Sequence, residues 1–177
     1  MTMAGQPDGE QSAPPTPVDL EGQFKAAMRR LAAGVALITT AHGGRWYGMT
    51  ATAVSSLSVE PPALTISINR SASMYESLIA RGAFCVNVLR EHHAQMCRSF
   101  SAAASEQRFQ FGSWVEGEDG LPHLVDSQAS IFCEIGPTMT FGSHTIFVGK
   151  VTRSIVAEEI SPLVYLNGGY FCPKTLP

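Results

Sequence analysis

The chain has 177 residues, of which 45% are hydrophobic and 15% are charged, and its formal net charge is −3. This length suits one domain with a sizeable core, and the acidic balance provides no basic surface to hold nucleic acid or anionic lipid. No apolar run reaches the roughly 20 residues that a membrane-spanning helix needs. We therefore expect neither a nucleic-acid partner nor a membrane segment.

Residues 1–19 are rich in Pro, Gly, Ser and Gln and lack the basic start and apolar centre of a secretory signal. We expect a disordered N-terminal tail over 1–19 and one folded domain over 20–177. The cysteines form no C-x-x-C pair, which favours buried, reduced thiols in a cytoplasmic protein over disulfides or a zinc site. They are Cys85, Cys97, Cys133 and Cys172.

Apolar residues at helical spacing predict a first helix over 20–32, which Gly34 ends. A buried strand follows in GVALITTA, then a turn, and the next strand begins at Trp46. That strand leads into GMTATAVSSLSVEPP, residues 48–62, which carries five hydroxyl side chains and one charge. Either a half-exposed strand or a surface that donates hydrogen bonds to a phosphorylated cofactor would explain this composition.

Alternating residues predict a strand over 63–68. Ser73 and Glu76 fit a capping box for a short helix over 74–80, and Gly82 closes that helix. We then expect, in chain order, a strand in AFCVNVL, a helix over 91–100, an irregular segment over 101–120, and long strands over 130–139 and 144–157.

This pattern contains six or seven strands and two or three short helices, joined mostly by turns. It favours a mostly antiparallel β-barrel with short helices. The chain contains no Rossmann glycine motif, phosphate-binding loop, serine nucleophile elbow or H-E-x-x-H zinc motif. Adjacent residues on a helix point to different sides, so we interpret His92 and His93 as a solvated helix start and expect no metal site.

Polar residues at strand ends and turns are the remaining candidates for a site. In the loop NRSAS, Arg70, Ser71 and Ser73 with the first helical amides could hold a phosphate, or the serines could simply cap the helix. Asn87 lies alone in an apolar strand and must find hydrogen-bond partners, which are either backbone groups or a ligand. His144 begins the last long strand and could equally be a locally bonded turn residue.

Taken in order, these segments resemble the flavin reductase family with an FMN-binding split barrel. F-x-x-A-M-x-x-L-A-x-G-V-x-x-I-T-T over 24–40 matches the opening of the family, and S-E-Q-R-F over 105–109 resembles its acidic-x-Arg-Phe element. The resemblance covers about residues 24–170. One departure is at 52–54, where Thr, Ala and Val stand in place of the two serines and the aromatic residue that the family commonly shows.

The resemblance implies a split, antiparallel, Greek-key-like β-barrel and an NAD(P)H:flavin oxidoreductase. NADH or NADPH would be the donor, and free FAD or FMN the acceptor. The reduced flavin would pass to a separate monooxygenase component that acts on an aromatic compound. The family's members form homodimers, so we expect a homodimer in the cytoplasm.

The resemblance also implies roles for particular residues. His144 would be catalytic, facing the open side of the flavin ring and orienting the nicotinamide or carrying a proton. No metal ligand is implied. The residues implied to bind the cofactor, through hydroxyl groups or main-chain amides, are Met49, Thr50, Ala51, Thr52, Ser55, Ser56, Asn69, Arg70, Ser71, Ser73, Asn87 and Val88.

Two alternatives stay open at this point. The first is an enzyme of the same barrel superfamily with a tightly bound flavin, such as a pyridoxine-phosphate-oxidase-like enzyme. The scattered arginines and lysines count against it, because a second phosphate would need a basic cluster. The second is a non-enzymatic flavin or haem carrier or a redox sensor, with His144 or a cysteine as ligand or switch. The apolar surroundings of Cys85 and Cys133 disfavour a thiol sensor.

Overall fold

The computed structural model describes residues 19–174. Its helices are α1 (Leu20–Met28), α2 (Tyr75–Arg81) and α3 (Ala94–Ala102), and 3-10 turns cover Glu91–His93 and Ser105–Gln110. Its strands are β1 (Ala33–Gly34), β2 (Ala36–His42), β3 (Arg45–Ala51), β4 (Val54–Val59), β5 (Pro62–Asn69), β6 (Ala83–Val88), β7 (Trp114–Glu116), β8 (Pro122–Leu124), β9 (Ala129–Phe141), β10 (His144–Val156), β11 (Val164–Leu166) and β12 (Gly169–Phe171).

Seven of the strands form one antiparallel sheet in the order β3-β2-β6-β9-β10-β5-β4. Its two edge strands, β3 and β4, are consecutive in the chain, with only Thr52 and Ala53 between them. The sheet therefore curls until its edges meet at this corner, and within residues 19–174 no hydrogen-bonded ladder closes them. This is the split, mostly antiparallel barrel that the sequence predicted.

Five short strands were not predicted. They form a three-stranded sheet in the order β1-β11-β12 and a pairing of β7 with β8. Each has only two or three residues, which is too short for an alternating pattern to show. The six or seven predicted strands correspond to the seven strands of the large sheet.

The predicted ends of the first two helices needed correction. α1 stops at Met28, four residues before the predicted end; Arg29 keeps helical dihedrals, and its side chain and carbonyl bond Asn167 in the β11–β12 turn. Ser73 does not cap α2; the helix begins after Met74 without a side-chain cap. Gly82 ends α2 as predicted, in the left-handed conformation with a φ of 70°.

The large sheet has the barrel core on one face and two smaller hydrophobic clusters on the other. β2 is buried continuously along its first five residues because both of its faces are covered. Ala36 and Ile38 point into the barrel core, which also contains Ile66. Val35 and Leu37 point into a second core, which α3 and the C-terminal strands cover. This second layer lies beside the β3–β4 corner.

The predicted buried thiols are present at three of the four positions, and Cys172 is exposed. All four cysteines are free. Burial raises the pKa of the Cys133 thiol to about 12 and also raises the pKa of Cys85, so neither is a reactive thiolate at neutral pH. No helix in the described part of the chain is long and apolar enough to cross a membrane.

Candidate functional site

The open edge of β3 presents main-chain polar groups at the corner between the two sheet edges. The Arg108 guanidinium donates from Nη1 to the Gly48 carbonyl at 2.7 Å, so this carbonyl points away from β2. Main-chain groups alternate in direction along an antiparallel strand, and the β2–β3 register is regular through Thr50. The amide and carbonyl of Thr50 therefore also face the open edge.

The four residues of β3 and the corner that were predicted to bind the cofactor differ in which polar groups they expose to a ligand. The side chains of Met49 and Ala51 pack on the barrel core, and their main-chain groups face β2 by the same alternation. The Thr50 hydroxyl lies 3.0 Å from the hydroxyl of Ser101 on α3, and Thr52 is exposed. The structure thus favours Thr50 and Thr52 over Met49 for polar contact with a ligand.

The loop between β5 and α2 forms a second polar group of residues. Asn69 Oδ1 accepts from the amide and the hydroxyl of Ser71, each at 2.9 Å, which fixes the loop. The Arg70 amide donates to the Ser143 carbonyl at 2.9 Å. His144 lies opposite Asn69 in the β5–β10 register, and its Nδ1 is 2.9 Å from the Ser143 hydroxyl. The predicted loop residues and His144 therefore lie at one end of the same strand pair.

Arg108 joins this loop to the open edge of β3. Besides its bond to the Gly48 carbonyl, its Nη1 lies 3.4 Å from the Ser73 hydroxyl, and its Nε donates to the Ala103 carbonyl at 3.3 Å. These contacts fix the half-buried guanidinium in place. Arg108 had no predicted role beyond its place in the S-E-Q-R-F segment, although it is the only lysine or arginine between Arg98 and Lys150. That isolated charge was the available signal.

Ser55 and Ser56 do not join the Asn69–Ser73 loop. They are consecutive on β4, so their side chains point to opposite faces of the strand. Ser55 pairs with Thr65, four residues before Asn69, which corresponds to about 13 Å along a strand. The Ser55 hydroxyl donates to the Ser56 carbonyl at 3.3 Å. The structure therefore does not bring these two serines together with the loop that was predicted to hold a phosphate.

Asn87 has a structural role, and its predicted place beside the flavin stays a prediction that its side-chain hydrogen bonds do not support. The side chain is completely buried. Its Nδ2 donates to the Leu37 carbonyl and to the Thr39 hydroxyl, each at 3.1 Å. Its Oδ1 accepts from the Leu124 amide at 2.8 Å and from the Ser130 hydroxyl at 3.1 Å. Every polar atom of the amide is used inside the protein, which leaves none for a ligand.

Val88 is likewise enclosed by neighbouring strands. It pairs with Ala36 on one side and with Ala129 on the other, and its carbonyl accepts from the Gln128 amide at 2.8 Å. Its half-buried side chain packs against the barrel core. The Val88 carbonyl is therefore used inside the protein, and the predicted place of Val88 beside the flavin stays a prediction.

His92 and His93 are not both solvated, contrary to the prediction. His93 is 4% exposed, and its Nδ1 accepts from the Arg90 amide at 3.1 Å. The proton of the neutral ring is therefore on Nε2, which faces Asp126 Oδ1 at 3.2 Å, while His92 Nε2 lies 3.0 Å from Oδ2. Burial lowers the pKa of His93. A protonated Nε2 has no lone pair for a metal, so we interpret this cluster as a structural contact between the 3-10 turn before α3 and the segment after β8.

A groove of about 240 Å³ opens beside the β3–β4 corner. Its lining includes Thr50 and Thr52 on one side and Tyr165 and Tyr170, from the three-stranded sheet, on the other. Together the site offers main-chain groups at an open strand edge, a fixed cation and a hydroxyl-rich loop. This arrangement can bind and orient a nucleotide without a strong acid–base pair of its own.

A split antiparallel barrel with an open strand edge, a fixed cation and a hydroxyl-rich loop defines a nucleotide-binding class of site, and its chemistry must come from other evidence. The sequence matches the model of the flavin reductase like domain over residues 28–172. The chain therefore belongs to the flavin reductase family, and the family, fold class and enzyme class that the sequence predicted are confirmed.

Three comparisons illustrate the likeness. The reductase component of the FADH(2)-dependent resorcinol hydroxylase of Rhizobium sp. is 39% identical over 150 residues, which are 83% of this chain and 84% of that protein. The FMN reductase (NADH) RutF of Pseudomonas syringae is 37% identical over 148 residues, 83% of each chain. The NADH:FAD oxidoreductase of Streptomyces globisporus, solved in complex with NAD and FAD fragments, superposes with a TM-score of 0.81 at 26% identity, covering 93% of this chain and 98% of that one.

Proposed function

We propose that this protein oxidises NADH or NADPH and reduces a diffusible flavin, FMN or FAD. The observation that carries the proposal is the position of Arg108, which contacts both the open edge of β3 and Ser73. A flavin nucleotide has a polar ring edge and a phosphate. The open edge of β3 would bind the ring edge, and the loop that contains Ser73 would bind the phosphate. The nicotinamide and flavin rings supply the hydride chemistry, and the protein supplies position and electrostatics.

The residues on the open edge have distinct proposed roles. The Thr50 amide and the exposed Thr52 would donate to the flavin ring edge, where donors stabilise the negative charge of the reduced ring. Ser71 and Ser73 would hold the phosphate, and Arg108 would balance its charge. His144, at the end of β10 beside that loop, would orient the nicotinamide. These roles require no proton transfer by a buried acid or base.

The reduced flavin would leave the protein and serve a separate monooxygenase that acts on an aromatic compound. Two features support this step. Ser71, Ser73 and His144 are exposed, so a bound nucleotide would remain open to solvent. The Rhizobium relative is by name a reductase component of a hydroxylase.

The homodimer remains part of the proposal. α1 buries none of its residues, and Phe24 on this helix is 62% exposed. Leu31, just after the helix, is 60% exposed. A second copy of the chain would cover this apolar surface.

The decisive experiment compares purified wild type with Arg108→Met, Arg108→Lys and the exposed control Lys150→Met. NADH oxidation is followed at 340 nm with no flavin, with FMN and with FAD, and flavin affinity is measured by calorimetry. Charged hydrogen bonds are worth about 1.5–3 kcal/mol, so Arg108→Met should weaken flavin binding by roughly 10- to 150-fold. Arg108→Lys should recover only part of the flavin affinity that Arg108→Met loses, and Lys150→Met should bind flavin as wild type does.

Failure of every flavin to accelerate NADH oxidation would overturn the proposed function. Unchanged flavin affinity in Arg108→Met would instead move the binding site away from this junction. The visible spectrum of the purified protein separates the remaining alternatives. Strong yellow colour would favour an enzyme with a tightly held flavin, and a Soret band would indicate a haem protein.

A further inference from the structure

The three-stranded sheet brings two tyrosines to the groove beside the β3–β4 corner. Tyr165 and Tyr170 are paired residues on β11 and β12, so their side chains share one face of this small sheet. Their rings pack edge to face with centroids 5.6 Å apart and an interplanar angle of 61°. Both line the groove together with Thr50 and Thr52. An aromatic surface thus stands across from the polar edge of the site.

Tyr170 is the fixed member of this pair. Its hydroxyl lies 3.1 Å from the sulfur of Cys97, which is completely buried in α3. The Arg98 guanidinium carbon lies 5.4 Å from the centroid of its ring, close enough for a cation–π contact. Burial raises the pKa of Tyr170 to about 12, so its hydroxyl keeps its proton at neutral pH. The ring is therefore held by two neighbouring residues of one helix.

Tyr165 is the more accessible member, with 39% of its surface exposed. Its backbone is fixed on both sides, since β11 pairs with β1 at Ala33 and with β12 at Tyr170. The edge-to-face contact with Tyr170 supports its ring from one direction. The remaining surface of the ring has no partner of comparable kind in the described structure and lies in the groove.

We propose that the Tyr165 ring contacts the planar ring system of the bound flavin and that Tyr170 positions it. This inference rests on the proposed function and names a part of the site that the polar residues do not supply. A flavin ring is broad and largely apolar, so hydrogen bonds along one edge provide no packing contact for its two faces. A rigid aromatic side chain gives that contact at a low entropic cost because it has only two torsions.

The experiment measures FMN binding to Tyr165→Ala, Tyr165→Phe, Tyr165→Leu and Tyr170→Phe. Phe171→Ala is the matched control, because Phe171 is on the same short hairpin but faces the other side of the small sheet. Flavin fluorescence reports both the dissociation constant and the depth of quenching at saturation, since contact with an electron-rich phenol quenches an excited flavin. Thermal unfolding of each variant is recorded in parallel.

We expect Tyr165→Ala and Tyr165→Leu to weaken FMN binding about tenfold, which corresponds to about 1.4 kcal/mol. Tyr165→Phe should keep the affinity and lose part of the quenching, because the ring stays while the phenol is removed. Tyr170→Phe should reduce the quenching at saturation, a readout that a merely structural role would not change. Phe171→Ala should match wild type in both.

Wild-type affinity and quenching in Tyr165→Ala would overturn the inference while leaving the proposed function intact, provided that wild type reduces flavin. If Tyr165→Ala does not fold, Tyr165→Leu and Tyr165→Phe test the same contact. A wild-type protein that neither binds FMN nor oxidises NADH with any flavin would overturn the proposed function itself. If Tyr165→Ala weakens NAD+ binding about tenfold and leaves FMN binding unchanged, Tyr165 contacts the nicotinamide nucleotide and the inference is contradicted.

Discussion

Replacing Asn87 by alanine should destabilise the fold and leave the flavin site intact. The substitution leaves the buried Leu124 amide without its acceptor and removes the donations to the Leu37 carbonyl and the Thr39 hydroxyl. One orphaned buried donor costs about 1–3 kcal/mol, and each lost hydrogen bond about 1 kcal/mol. We expect a loss of about 3–5 kcal/mol, a large part of the roughly 5–15 kcal/mol that a typical domain has.

Urea unfolding of the apo protein measures this loss as a shift in midpoint at constant slope. Ser55→Ala is the control, because Ser55 is exposed and its hydroxyl bonds only the neighbouring Ser56 carbonyl; its change should stay within about 0.5 kcal/mol. Flavin affinity of Asn87→Ala is then measured well below its unfolding temperature. A variant of normal stability that no longer binds flavin would refute the structural role and restore Asn87 to the binding site.

Three further predictions test other parts of the molecule. His144→Ala should bind flavin normally but oxidise NADH about tenfold more slowly in kcat/KM, roughly 1.4 kcal/mol, and an unchanged kcat/KM would remove His144 from the mechanism. Gly48→Ala should lose about 1–3 kcal/mol of folding stability by overpacking, because the new methyl group would lie 3.0 Å from Phe100 Cζ and 3.2 Å from the Ile38 carbonyl oxygen. Gly34→Ala is its control, because a methyl group there would have no atom within 4 Å. Equal stability of the two variants would contradict the packing argument. Burial lowers the pKa of His93, so the unfolded chain binds the proton more readily, and folding stability should fall as the pH drops below about 6.5. In thermal unfolding measured at several pH values, His93→Gln should show a smaller fall than wild type. Identical pH profiles of the two proteins would show that another group is responsible.

The large sheet could be predicted because its strands are long enough to show their pattern. In β10, Thr145, Phe147 and Gly149 are buried and the residues between them are more exposed, which is the alternation of a strand with one buried face. The ends of α1 and α2 could not be predicted in the same way. α1 ends where Arg29 contacts Asn167, 138 residues later in the chain, and the Ser73 hydroxyl lies 3.4 Å from Arg108 Nη1 and does not cap α2. Both outcomes depend on residues distant in sequence.

The structure brings the predicted Asn69–Ser73 loop and His144 to one place, but it leaves Ser55 and Ser56 apart from them. The Asn69–Ser73 loop and His144 are brought together by a single strand pair, β5 with β10. For β4, only the register shows that Ser55 pairs with Thr65, well before the end of β5. A one-residue change of register exchanges the two faces of a strand, so hydroxyl content alone cannot show which serines reach a common ligand.

Asn87 and Arg108 show why the hydrogen-bond partners of a polar residue must be known before it can be assigned a role. Each is isolated in the sequence, and each makes several hydrogen bonds. The Asn87 amide has two donors and one oxygen, and its four close partners satisfy them all. The Arg108 guanidinium has five donors, and within residues 19–174 its hydrogen bonds come from Nε and Nη1, so Nη2 can still donate at the junction of the β3 edge and the Asn69–Ser73 loop. The difference in remaining hydrogen-bonding capacity, rather than burial or isolation, is what separates the structural residue from the candidate binding residue.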